Sequence, residues 1–185
     1  MFNVVISLAV FAALLSVCYG APSAICGGSP DNLFLCSTVP LLVGEEANRR
    51  CAAVTEECEK VNCLLDESML MEDNEVMHER FALVLTEFAK TSPEYAPAVE
   101  AAISECLNRT LEPQGIHLNC PAYDVTYCMY IRFLRVSAAT NWSPAESCAA
   151  SREYARSCPI CPPECATIDI PTGSCNACSV TNLNV

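Results

Sequence analysis

Cysteine, at 15 of 185 positions, constrains this chain more than any other residue type. So many cysteines admit thiolate–metal sites, reactive thiols or disulfides, and the compartment in which the chain folds decides among them. Val4 to Val17 is apolar apart from two serines, and the only acidic or basic residue before Glu45 is Asp31. Small side chains follow at Cys18 and Gly20, the layout of a signal peptide with its cleavage site. Residues 1–20 are therefore expected to be removed, leaving a chain that begins Ala21-Pro22, with the α-amino group alone supplying the positive end. The apolar run is shorter than the roughly 20 residues that span a bilayer, and no later segment is a spanning candidate. Removing Cys18 leaves 14 cysteines bound for an oxidising compartment, so seven disulfides are expected.

The 165 residues after position 20 suit one domain, which on typical scaling buries roughly two-thirds of its unfolded surface. Charge is one-sided, with 10 basic against 22 acidic residues and a net −12. Such a surface repels phosphate backbones and anionic headgroups, so neither nucleic acid nor membrane is an expected partner.

Between Ala47 and Leu65 the residues Cys51, Val54, Cys58, Val61 and Leu65 recur at three and four, one face of a helix. A second helix is expected from an Asp73 N-cap to Lys90; it carries Phe81, Leu83, Val84, Leu85 and Phe88 and reads as too apolar for a surface position. Ser92-Pro93 supplies an N-cap and a first-position proline for a third, with Tyr95, Val99, Ala102, Ile103 and Cys106 on one face and an end near Asn108. Ala122 to Val136 mixes aromatic and β-branched residues; its context favours helix over strand. Ser143-Pro144-Ala145-Glu146 reads as a capping box opening a fifth helix that runs to about Ser157. The remainder, 159–185, is rich in cysteine and proline and lacks periodicity. The expected fold class is all-α: a disulfide-stapled bundle of about five to seven helices over 21–158, with an irregular Cys/Pro-rich C-terminal tail packed on the same domain.

The cysteine spacings sharpen this picture. Cys36, Cys58, Cys63, Cys106, Cys148 and Cys158 form a six-cysteine frame with 42 residues between Cys63 and Cys106, and Pro159 directly follows the sixth. With its further cysteines and the segment Asn141-Trp142-Ser143-Pro144-Ala145-Glu146-Ser147-Cys148, the chain resembles the Plus-C subgroup of the insect odorant-binding proteins. The resemblance covers roughly Cys36 to Cys178 and implies a helical pouch for small apolar molecules. It also implies pairing of Cys36 with Cys63, Cys58 with Cys148, and Cys106 with Cys158. The sequence departs from the family pattern in two places: Cys58 and Cys63 are five apart rather than four, and Cys148 to Cys158 is one residue longer than usual. Cys51, Cys120 and Cys128 stand near enough to exchange into the frame.

Rival chemistries meet specific obstacles. Cys158-Pro-Ile-Cys161 and Cys175-Asn-Ala-Cys178 have zinc spacing, but oxidation competes with metal and Cys165 lies between them; a thioredoxin-like use of the first pair needs a βαβ setting. The two histidines, His78 beside Glu79 and Arg80 and His117 in a loop, have no nucleophilic motif near them, so no enzymatic role is expected. The acidic groups Glu56, Glu57, Glu59 and Glu72, Asp73, Glu75 read as solvated or first-turn charges. No metal and no cofactor is expected. Asn108-Arg109-Thr110 and Asn141-Trp142-Ser143 are N-glycosylation sequons, the second followed by a hindering Pro144.

The candidate ligand-binding residues are Phe81, Leu85, Phe88, Tyr127, Tyr130, Phe133 and Leu134, large groups on the two most apolar segments; the competing reading is that they only fill the core. The expected function is a secreted, extracellular carrier of small hydrophobic ligands such as odorants. The alternative is a secreted Cys-rich interaction protein without a cavity. A chemoreceptor partner and a homodimer both stay open.

Overall fold

The computed structural model describes residues 29–40, 42–111, 119–158 and 160. The signal peptide, His117, the CxxC partners Cys161, Cys175 and Cys178, and all of the tail but Ile160 lie outside the described residues. Helix dominates, as expected. In chain order come α1 (Leu33–Cys36), α2 (Glu45–Arg50), α3 (Glu57–Glu67), a hairpin of β1 (Met71–Glu72) and β2 (Glu75–Val76), α4 (His78–Thr91), α5 (Ala96–Ala102), α6 (Pro121–Val136) and α7 (Ala149–Ser157). Short 3-10 turns at Pro93–Tyr95 and Glu146–Cys148 lead into α5 and α7, and a wider π turn, Ile103–Leu107, extends α5.

The helix expected over 47–65 is two helices. Cys51 ends α2, and Glu56 opens α3 by accepting a hydrogen bond from the Glu59 amide at 2.6 Å. The break lets Cys51 bond Cys63, with Cα atoms 5.9 Å apart. Across an unbroken helix these residues would stand about 18 Å apart, beyond the roughly 4.4 to 6.8 Å that a disulfide spans.

Asp73 does not cap a helix. With Asn74 it forms the tight turn of the β1–β2 hairpin, both at positive φ (51° and 66°), and Met71 pairs with Val76 and Glu72 with Glu75. Two left-handed residues in sequence suit the I′ hairpin turn, so α4 starts only at His78. It is also shallower than expected: Phe81 and Leu85 are buried, but Leu83 and Val84 face solvent. The run 93–107 is helical as read, with Pro93 at the first position of the leading turn, but the Ser92 side chain makes no capping hydrogen bond. The capping box does not form: Ser143 gives its amide to the Cys36 carbonyl at 2.8 Å, and its hydroxyl accepts from the Ala145 amide at 3.3 Å. Ala145 is extended (φ −55°, ψ 141°), and helical structure starts at Glu146.

All nine cysteines among the described residues are disulfide-bonded, but the pairing implied by the resemblance does not form. Cys36 bonds Cys148, not Cys63, because α1 packs on α7. Cys63 is taken by Cys51 across the α2–α3 break. Cys58, on the first turn of α3, bonds Cys120, which stands just ahead of α6 where α3 packs along it. Cys106 on the π turn bonds Cys128 on α6, not Cys158. Cys158 has a disulfide whose partner lies outside the described residues. The six frame cysteines are all bonded, each to a partner other than the implied one.

Two apolar cores result. The larger gathers residues of α3 to α6, among them Leu65, Phe81, Leu85, Val99, Met129 and Phe133. The smaller joins Leu33, Leu134, Ala155 and Ile160. Helix α6 contributes to both.

Candidate functional site

Between the two cores lies a cavity of about 220 Å3. Its walls come from five parts of the chain: the apolar strap of Val39, Pro40, Leu42 and Val43; Asn48 of α2; Val61, Leu64 and Leu65 of α3; Phe81 of α4; and Thr126, Tyr130 and Phe133 of α6. Val39 and Tyr130 also touch the smaller core, which places the cavity at the seam. Just ahead of the strap, Tyr95 donates its hydroxyl to the Thr38 carbonyl at 2.9 Å and the Cys36–Cys148 disulfide ties α1 to the start of α7.

Asn48 is the cavity's other polar neighbour, and its amide is engaged by the Gly44 carbonyl at 3.3 Å. No charged side chain lines the space among the described residues. The two polar groups on α6 are different. The hydroxyls of Thr126 and Tyr130 are buried and have no hydrogen-bond partner. Four residues apart, they stand one above the other on a single helix face. A helical threonine commonly bonds back to the carbonyl four residues before it, as Thr86 does to Ala82 at 2.7 Å; Thr126 does not. Leaving a buried hydroxyl unpaired costs about 1 to 3 kcal/mol. Both residues line the same wall of the cavity, and both oxygens are closed to solvent as the chain is packed. Burial also raises the Tyr130 phenol pKa above its ordinary value, so the group stays a neutral hydroxyl.

Of the seven residues expected to touch a ligand, the fold brings Phe81, Tyr130 and Phe133 to the cavity. The other four serve elsewhere. Leu85 is fully buried in the larger core and Leu134 in the smaller. Phe88 packs on Tyr95 and Phe133, with ring centres 5.5 and 6.4 Å away. Tyr127 stacks on Tyr123 at 5.5 Å and donates to the Ile160 carbonyl at 3.2 Å; burial first, then Tyr123 and Tyr130, raise its pKa. The strap, Asn48, the α3 residues Val61, Leu64 and Leu65, and Thr126 are not among the seven. The uncharged run 39–43 ahead of Glu45 was the signal for the strap, whereas nothing sequential marks Thr126.

Larger concavities differ in including charged side chains. One of about 550 Å3 is bordered by Asn62, Asp66, Glu72, Asp73 and Asn74 around the hairpin. Another, of about 470 Å3, includes His78 and Asp124; there His78 donates from Nδ1 to the Leu107 carbonyl at 2.6 Å, joining α4 to the end of the π turn. The first is a mainly polar surface groove, whereas the second has a mainly apolar lining that includes Leu107, Leu111, Pro121 and Val125. No cluster of three or more metal-ligating side chains occurs among the described residues, and none of their helices is long and apolar enough to cross a membrane.

Compared with known proteins, the chain matches no family model and no curated sequence.

Proposed function

We propose that this protein is an extracellular carrier that holds a small, neutral, largely apolar molecule in the cavity at the seam, a class that includes odorants. One observation carries the reading: an apolar cavity with two unpartnered hydroxyls, Thr126 and Tyr130, on one wall. Size bounds the occupant. An apolar cavity of roughly 150 Å3 admits benzene, and drug-sized ligands occupy roughly 300 to 1,000 Å3; about 220 Å3 therefore suits a monocyclic or short-chain molecule. Chemistry bounds it too. A carboxylate or ammonium would be buried without a counter-charge, which is costly, so alcohols, aldehydes and ketones fit and acids do not. The reading rests on this cavity rather than on the odorant-binding resemblance, whose cysteine pairing the fold does not reproduce. The signal-peptide layout and the bonded cysteines support the extracellular setting.

The test is displacement of a naphthalene-based fluorophore from delipidated protein by a panel of small alcohols, ketones and matching acids. Binding by the neutral members, weakened by about 1 to 3 kcal/mol in Phe133→Ala and little changed in Phe88→Ala, is the expected result. A folded protein that takes up no member of the panel would leave the interaction-protein alternative in its place.

A further inference from the structure

Two Asn-X-Ser/Thr sequons occur in the described residues, and the fold treats them in opposite ways. Cys106 and Leu107 end the π turn in the core, and the chain then turns outward at Asn108 (φ −93°, ψ 7°). Asn108, Arg109 and Thr110 are all exposed. Arg109 bonds from Nε to the Glu105 carbonyl at 2.6 Å, which folds it back along the preceding turn. Both atoms that the modification needs, the Asn108 amide nitrogen and the Thr110 hydroxyl, thus belong to exposed residues of a surface turn.

At the second sequon the acceptor is only 6% exposed. The Asn141 carbonyl receives the Thr38 amide at 2.9 Å and its hydroxyl at 3.0 Å, and the Asn141 amide donates to Ala138 at 2.9 Å. Its Nδ2, the atom that would carry a sugar, is buried without a partner. Trp142 pairs with Ser37 and packs on the smaller core, and Pro144 follows the sequon. A glycan on Asn141 would have to prise this segment off the molecule.

We propose that Asn108 is an N-glycosylation site and that Asn141 is not, an inference that rests on the extracellular reading because the modification occurs in the secretory pathway. In the transfer, the Asn108 amide nitrogen forms a C–N bond to the anomeric carbon of an oligosaccharide carried on a polyprenyl pyrophosphate. The anomeric C–O bond breaks, the lipid pyrophosphate leaves, and the amide nitrogen gives up a proton. The glycan then shields the turn at the end of α5, beside the groove where His78 meets Leu107.

The experiment expresses the full chain in a secreting eukaryotic cell and follows its N-terminus and its mass before and after treatment with a peptide N-glycosidase. The expected product starts near Ala21, carries one glycan and has aspartate at 108 after enzymatic removal. Asn108→Gln and Thr110→Ala should each abolish the shift; Ser143→Ala, which removes the second sequon and leaves Asn141 in place, should keep it. Secreted, processed protein without a glycan overturns the proposal and leaves the extracellular reading standing. An unprocessed, intracellular, unmodified chain overturns both. A shift lost in Ser143→Ala, or a second glycan on the wild type, overturns the assignment between the two asparagines.

Discussion

Around α3 to α6, burial of large apolar side chains organises the structure, and the three disulfides there join neighbours separated by 12, 22 and 62 residues. The flank of α1 and α7 is built otherwise. Among the described residues its apolar core has four buried members, and a disulfide spanning 112 residues and polar contacts hold it as well. Asn32 reaches the Ser147 carbonyl at 2.9 Å and accepts from the Ser151 hydroxyl at 2.7 Å; Arg152 holds the Ser143 carbonyl, and Arg135 the Cys158 carbonyl at 2.6 Å. Burial lowers the Arg135 pKa, with Arg132 nearby adding to the effect. The comparison teaches where a cavity can persist. A single continuous core packs to crystal-like density, whereas the junction between a self-packing core and a tethered flank can keep unfilled space, because the tether fixes the distance between the two.

The largest effect is expected from Phe133→Ala, which removes a fully buried ring shared by the larger core and the cavity wall. Denaturant melts should show a loss of about 3 to 5 kcal/mol. A loss under about 1 kcal/mol would mean that the larger core is not organised by burial. Next comes replacement of both Cys36 and Cys148 by alanine, which should cost about 2 to 4 kcal/mol. Amide exchange should quicken across α1 and α7 while α6 keeps its protection. Equal loss of protection in both regions would erase the distinction between core and tethered flank.

Tyr130→Phe should act in two directions. Removing an unpaired buried hydroxyl should raise the stability of the ligand-free protein by about 1 kcal/mol. Affinity for a small alcohol should fall about fivefold, the equivalent of one hydrogen bond. Stability and affinity falling together would mean that the hydroxyl belongs to the packing and not to a binding wall.

The smallest effect is invisible at neutral pH. Tyr127 and Tyr130 have phenol pKa values raised by burial above the ordinary 10.0. A raised folded-state pKa contributes stability that is whole below about pH 10 and is lost as pH climbs past it toward the folded value. Spectroscopic titration should show both phenols protonated beyond the ordinary range, ionising together with alkaline unfolding. Free titration of both near pH 10 in a folded protein would contradict their burial.

Legibility differed from element to element. The run 93–107 was readable because it combines an apolar stripe with a proline at its start, both local signals, whereas the aromatic and β-branched residues of 122–136 left α6 to be read from its context. The hairpin at 71–76 was missed because Asp73 is chemically suited to an N-cap and to a left-handed turn alike, and only the pairing of Met71 with Val76 decides between them. The break at 51–56 was hidden because the three-and-four spacing continues through it. Phe81, Tyr130 and Phe133 could not be told from Leu85 and Leu134 in advance, since lining and packing residues have the same chemistry.

The sequence by itself determined a helical, cysteine-bonded chain, because periodicity and proline position act within a few residues. Which cysteines meet was left to the tertiary structure, since a disulfide requires Cα atoms within about 7 Å and that distance depends on which helix faces pack. The cavity was left to it as well: the strap after α1, the inner face of α3 and two hydroxyls on α6 become one surface only when distant segments are brought against each other.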